Sequence, residues 1–82
     1  MISCTEYDTI ELVCMYRYPV TLHLRSGENV TGVATDTVRN DKKEECIKLL
    51  VDNTEQVVVL DTIASLRVNV DNPHFQQVSF GD

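Results

Sequence analysis

Pro19 divides this 82-residue chain into two stretches with different hydrophobic periods. Proline cannot continue a helix, and it pushes the residue before it, Tyr18, toward an extended conformation. A helix ahead of it must therefore stop near Arg17. Ser3-x-x-Glu6 has the form of a capping box, and Thr5-x-x-Asp8 is a looser alternative, so the helix starts between Ser3 and Glu6. The expectation is a helix over about 4–17.

Beyond Pro19 the period becomes two. Val20, Leu22 and Leu24 fall on one face and Thr21, His23 and Arg25 on the other, as in a half-buried strand. Ser26-Gly27-Glu28-Asn29 is a turn in which Gly27 can take positive φ. Along Val30 to Thr35 the alternation breaks at Gly32, which predicts a bend or bulge there. Arg39 to Glu45 are all polar or charged and read as an exposed connection. Cys46–Val51, Gln56–Leu60 and Ile63–Val68 read as three more strands, joined by turns at Asp52–Glu55 and Asp61–Thr62. One helix and five short strands imply a mainly β fold, a strongly bent antiparallel sheet closed or nearly closed into a small barrel. The chain is expected to form one domain over 1–82, with helix 4–17, barrel 19–70 and a tail 71–82 that carries Phe75 and Phe80 without a clear period.

Charge narrows the function classes. Seven bases stand against thirteen acids, a net charge of −6. A protein that grips nucleic acid gains affinity by neutralising phosphates, and this chain would be repelled over most of its surface. A basic partner suits it better. No apolar run approaches the ~18–20 residues needed to cross a bilayer, and Met1 to Glu6 lack the pattern of a secretory signal. The expected location is the cytoplasm. Cys4, Cys14 and Cys46 are an odd set without C-x-x-C spacing, which fits reduced thiols.

Leu24-Arg25-Ser26-Gly27-Glu28-Asn29-Val30-Thr31-Gly32-Val33-Ala34-Thr35-Asp36 resembles the first signature of Sm-like proteins: a strand, a turn glycine, a bend glycine five positions on, and an aspartate four after that. Cys4-x-x-Tyr7-Asp8-x-Ile10-Glu11-Leu12-x-Cys14, followed by Val20-x-Leu22-x-Leu24-x-x-Gly27, resembles the Rof/YaeO family of Rho-binding antiterminators. The likeness runs from about Ile2 to Val70 and departs in the 39–45 loop and the tail. It implies an Sm-like barrel whose N-terminal helix binds transcription terminator Rho on its RNA-binding domain. Rho is then denied its primary RNA site, and termination is suppressed. The family motif matches at Tyr7, Asp8 and Glu11, with Glu6 as a weaker neighbour and Asn40, Lys42 and Lys43 as loosely matched polar contacts.

The helix residues support that implication on their own chemistry. At 100° per residue, Ile10, Val13, Cys14 and Arg17 share one face, the better candidate for docking on the barrel, while Asp8, Glu11, Leu12 and Met15 share the other. Glu6 and Asp8 each gain about 0.3–1 kcal/mol from the helix macrodipole, whereas the Asp8 and Glu11 pair costs about 0.2–0.5 kcal/mol. Glu11 lies past the first turn, and Met15 holds the position where a base could pair with it. A solvated face explains Glu6 and Asp8 better than it explains Glu11. Carboxylates at Asp8 and Glu11 would meet Arg or Lys side chains through charge-assisted hydrogen bonds, with Tyr7 as an aromatic anchor.

Other chemistry is weakly signalled. His23, His74 and the three cysteines lack the close spacing of a structural zinc set, so no metal is expected. No phosphate loop, serine elbow or enclosed carboxylate pair appears, so neither an enzyme nor a cofactor is expected. The alternative is an Sm-like RNA-binding module that forms a ring through its outer strands, favoured only by Arg39, Lys42 and Lys43. On the first reading the chain competes with RNA and is a monomer.

Overall fold

The computed structural model describes residues 4–70 and 77–80, with side chains in the first helix described from Glu6 onward. The capping signals at Ser3 and Thr5, and the side chains of Cys4, His74 and Phe75, lie outside the described residues. The elements run α1 (Cys4–Met15), β1 (Pro19–Leu24), β2 (Asn29–Arg39), β3 (Glu45–Val51), β4 (Thr54–Val59), a 3-10 turn (Leu60–Thr62), β5 (Ile63–Val68) and β6 (Gln77–Ser79).

Helix α1 docks through Ile10, Val13 and Cys14, all buried. The same face was expected to include Arg17, and the structure corrects this. Arg17 has left the helix with φ 52°. Its N–H donates to the Cys14 carbonyl at 3.2 Å and the Tyr18 N–H to the Val13 carbonyl at 3.0 Å, the paired bonds of a Schellman ending. Tyr18 then packs against the core, and Pro19 opens β1. The helix therefore ends two residues before the expected position.

All six strands form one antiparallel sheet in the order β4-β3-β2-β1-β5-β6. Five strands were expected; the tail supplies the sixth. At three residues β6 is too short for its alternation to stand out in the sequence. It pairs with β5 at Ser65–Ser79, Leu66–Val78 and Arg67–Gln77, and the buried Phe80 follows it into the core. Arg25 fastens this end: its Nε donates to the Asp61 carbonyl at 3.1 Å and its Nη2 to the Phe80 carbonyl at 3.4 Å. One apolar cluster draws on α1, on β1 to β5 and on Phe80. The sheet therefore curls around a shared core in a small barrel-like fold, with β4 and β6 as its open edges.

Strand β2 makes this curl possible by serving two neighbours in turn. Asn29 to Val33 pair with β1, and Val33 to Arg39 pair with β3. The bulge expected at Gly32 lies instead between Ala34 and Asp36. Gly32 pairs regularly with Val20, and its role is close approach. A Cβ there would stand 2.6 Å from the Leu50 carbonyl oxygen and 2.8 Å from a Val51 methyl. Gly27 serves differently, in open space at φ 97°.

The 39–45 connection is also tighter than expected. Arg39 and Glu45 are paired strand ends, joined by an ion pair at 3.6 Å. The turn is built on Asn40, whose Oδ1 accepts the N–H groups of Lys42 at 2.9 Å and Glu44 at 3.0 Å. Its side-chain amide donates to a Glu44 carboxylate oxygen at 2.9 Å.

Gly32→Ala should destabilise the protein by about 2 kcal/mol, the scale of an overpacked core, because backbone rather than a movable side chain blocks the methyl. Urea titration is the measurement, and a loss under about 0.5 kcal/mol would show that β3 yields. Arg17→Gly acts the other way. Removing a left-handed penalty of ~1–2 kcal/mol outweighs ~0.5–1 kcal/mol of added unfolded-state freedom, so the melting temperature should rise.

Candidate partner-binding site

Once Ile10, Val13 and Cys14 face inward, helical geometry fixes what faces out. Asp8, Glu11 and Met15 are exposed, Met15 by 74%, and all three fall within an arc of about 60°. Leu12 flanks this row and is half-buried. Among the described residues no ion pair involves Asp8 or Glu11. Tyr7 sits on the border between the two faces, half-buried against the core. Only the uncovered part of its ring is available to a partner. Glu6 is also half-buried.

Beside the row, the helix and the β2 bulge enclose an open hollow of about 310 Å³ lined by Glu11, Cys14, Met15, Thr35, Asp36 and Thr37. The bulge shapes its far wall. Thr35 is the unpaired extra residue, and its hydroxyl donates to the Lys48 carbonyl at 3.1 Å. The next residue, Asp36, accepts the Thr37 N–H on Oδ1 at 2.8 Å, which orients the carboxylate. Lys48 lies across the ladder from Asp36, yet its ammonium turns to Glu55 at 3.8 Å. Both acids of the hollow act on Cys14. Burial pushes that thiol up to about 11, and the charges of Asp36 and Glu11 add to the rise. Burial also raises Cys46.

The loop residues named from the sequence lie farther along β2. Asn40 follows Thr37 by three residues, about 10 Å of strand. Lys42 and Lys43 are exposed there, Lys43 at φ 62°, whereas Asn40 spends its side chain on the turn. Tyr16 and Tyr18 stack at the helix end with centroids 5.5 Å apart. Sequence reasoning missed Asp36 as a site residue. Its place at the end of the glycine-spaced signature was visible, but the bulge beside it and its closeness to the helix were not. Among the described residues no group of three or more His, Cys, Asp or Glu side chains is placed to hold a metal ion. None of the helices described is long and apolar enough to cross a membrane.

Comparison with known proteins decides the family. The family model described as "Modulator of Rho-dependent transcription termination (ROF)" matches residues 1–80. The chain belongs to this family. It is 33% identical over 64 residues to Protein rof of Escherichia coli (strain K12), covering 78% of this chain and 75% of that protein. The figures are the same for Protein rof of Shigella flexneri. A solved structure described as YaeO bound to magnesium, from Vibrio cholerae O395, is 40% identical, with a TM-score of 0.87 over 92% of this chain and 97% of that one. The resemblance read from the helix and the first hairpin is thus a family relationship, and the family's role is modulation of Rho-dependent transcription termination.

In this ROF-family chain the Cys14 thiol should be a poor nucleophile. A pKa near 11 against an ordinary thiol leaves roughly 10²-fold less thiolate at pH 8. Peptide-level mass spectrometry after iodoacetamide treatment should show Cys14 alkylated that much more slowly in native than in urea-unfolded protein. Because the folded thiol is harder to ionise than the unfolded one, stability should fall as pH rises from the ordinary thiol range toward 11. Equal alkylation rates in both states would contradict the placement.

Proposed function

We propose that this chain binds the RNA-binding domain of Rho and blocks its primary RNA site through the acidic face of α1. Rho-dependent termination is thereby suppressed, in the cytoplasm, by competition with RNA for one surface. The observation that carries this reading is the exposed row of Asp8 and Glu11, held outward by a helix whose opposite face is buried. An RNA-binding surface must present cations to phosphates, and carboxylates on a rigid helix can take those places through charge-assisted hydrogen bonds. The net charge of −6 favours encounter with such a surface and disfavours RNA itself.

The remaining residues take lesser parts. Tyr7 offers the uncovered part of its ring beside the carboxylates, and Glu6 adds negative charge one turn earlier. Lys42 and Lys43 supply polar contacts at the margin, and Asn40 holds their loop in shape. A monomer suits this role. Strand β6 covers the β5 edge, which an edge-to-edge ring of five-stranded sheets would need free. Neither a metal nor a catalytic step enters the mechanism.

Asp8→Lys and Glu11→Lys should each weaken Rho binding at least about tenfold in calorimetric titration, with the circular-dichroism melt nearly unchanged. Wild-type affinity should fall as salt is added, as expected of a partly ionic contact. Unaltered affinity in both variants would sink the proposal. Salt-sensitive RNA binding by the protein alone in a mobility-shift assay would favour the RNA-binding alternative.

A further inference from the structure

The hollow between α1 and the β2 bulge has a composition that the helix row does not explain. Its rim carries two carboxylates from different elements, Glu11 and Asp36, its wall is apolar at Met15 and Cys14, and Thr35 and Thr37 complete it. Each candidate occupant can be judged against this chemistry. A phosphate or nucleotide would face two like charges. For a divalent cation, no group of three or more His, Cys, Asp or Glu side chains is gathered among the described residues, and one Asp36 oxygen already accepts the Thr37 N–H at 2.8 Å. A purely apolar side chain would remove water from both acids without giving either a partner.

A long basic side chain meets every requirement. Its aliphatic stem can lie along Met15 and Cys14 while its charged head stays at the rim, the usual behaviour of such side chains on apolar surface. A planar guanidinium has donors on several edges and can engage two carboxylates at once, which a single ammonium does less well. About 310 Å³ is at the lower limit of small-molecule pockets, a scale suited to one inserted side chain. The fields of Glu11 and Asp36 both reach the Cys14 thiol in the wall, so the hollow is electronegative inside as well as at its mouth. Lys48, the cation nearest Asp36 in the ladder, pairs with Glu55 at 3.8 Å and leaves the position to an incoming group.

We infer that this hollow is the receptor for one arginine side chain of the protein partner, clasped between Glu11 and Asp36 with its stem on Met15. The inference rests on the Rho-binding reading and adds Asp36, a sheet residue, to a contact otherwise made by the helix and, at its margin, by the 39–45 loop. It also gives the contact a specificity that charge alone lacks. A row of exposed acids accepts any basic surface, whereas a recess between two elements accepts a side chain of the right length at one place.

The test is a double-mutant cycle in calorimetric titrations with Rho. Asp36→Asn and Glu11→Gln should each weaken binding about tenfold. The double variant should be far less than a hundredfold weaker, because both singles disturb one shared occupant. Asp52→Asn removes the same charge at an exposed turn outside the hollow and should change affinity less than twofold. Asn at 36 keeps an oxygen for the Thr37 N–H, and a thermal melt checks its fold. Should that variant fail to fold, Met15→Lys, which places the chain's own ammonium at the mouth, should abolish binding. If Asp36→Asn behaves like Asp52→Asn while Glu11→Gln still weakens binding, the hollow is overturned and the Rho-binding helix stands. If neither Asp36→Asn nor Glu11→Gln has an effect, the inference falls, and the Rho-binding reading falls with it only when Asp8→Lys is also without effect.

Discussion

The passage of β3 across β2 at Gly32 governs the rest of the molecule. Strand β2 leaves β1 and joins β3 within its own length, and at the changeover the Leu50 carbonyl occupies the space that any side chain would need. Only the residue without a Cβ lets two ladders share one strand so closely. From that contact the sheet turns back on itself, so that residues from β4 to Phe80 reach a single core. Immediately beyond it the Thr35 bulge shifts the register, and Asp36 beside it lines the hollow next to the helix. Core and candidate site thus share one strand.

Helix α1 illustrates how a weakly amphipathic segment is assigned a face. Its apolar residues lie on both sides, and the choice is made by where charge can be tolerated. Asp8 and Glu11 cannot be buried without partners, because taking an unpaired carboxylate from water costs far more than burying a methionine gains. Ile10, Val13 and Cys14 therefore turn inward, and Met15 is left out. The stability of the fold and the polarity of the outward surface come from the same packing decision.

Much of this was legible in the chain. Pro19 and the switch of period located the helix end to within two residues and the start of the first strand, and the glycine spacing announced a turn and a bent second strand. Individual residues show where local reading fails. Arg17 looked like a core-face residue because the helical pattern was extended two residues too far. Its left-handed conformation is set by the Schellman bonds and the pull of Tyr18 and Pro19, not by a preference of arginine. Asn40 came from the family likeness as a loosely matched contact, and the structure adds that its side chain builds the turn. Strand β6 and Asp36 escaped because their placement depends on pairing with residues distant in sequence, which periodicity does not encode.

The latch that joins Arg25 to the Phe80 carbonyl has a bearing on how the protein is made. Synthesis runs from the first residue to the last, so a chain extended as far as Val68 holds every strand but β6. At that stage the outer side of β5 offers unpaired amide and carbonyl groups, the kind of surface that recruits a neighbouring chain. The interval ends only when Gln77 to Phe80 have been added and drawn back across the molecule to Arg25. Gln77 to Phe80 thus shield the edge of a strand that was finished before them.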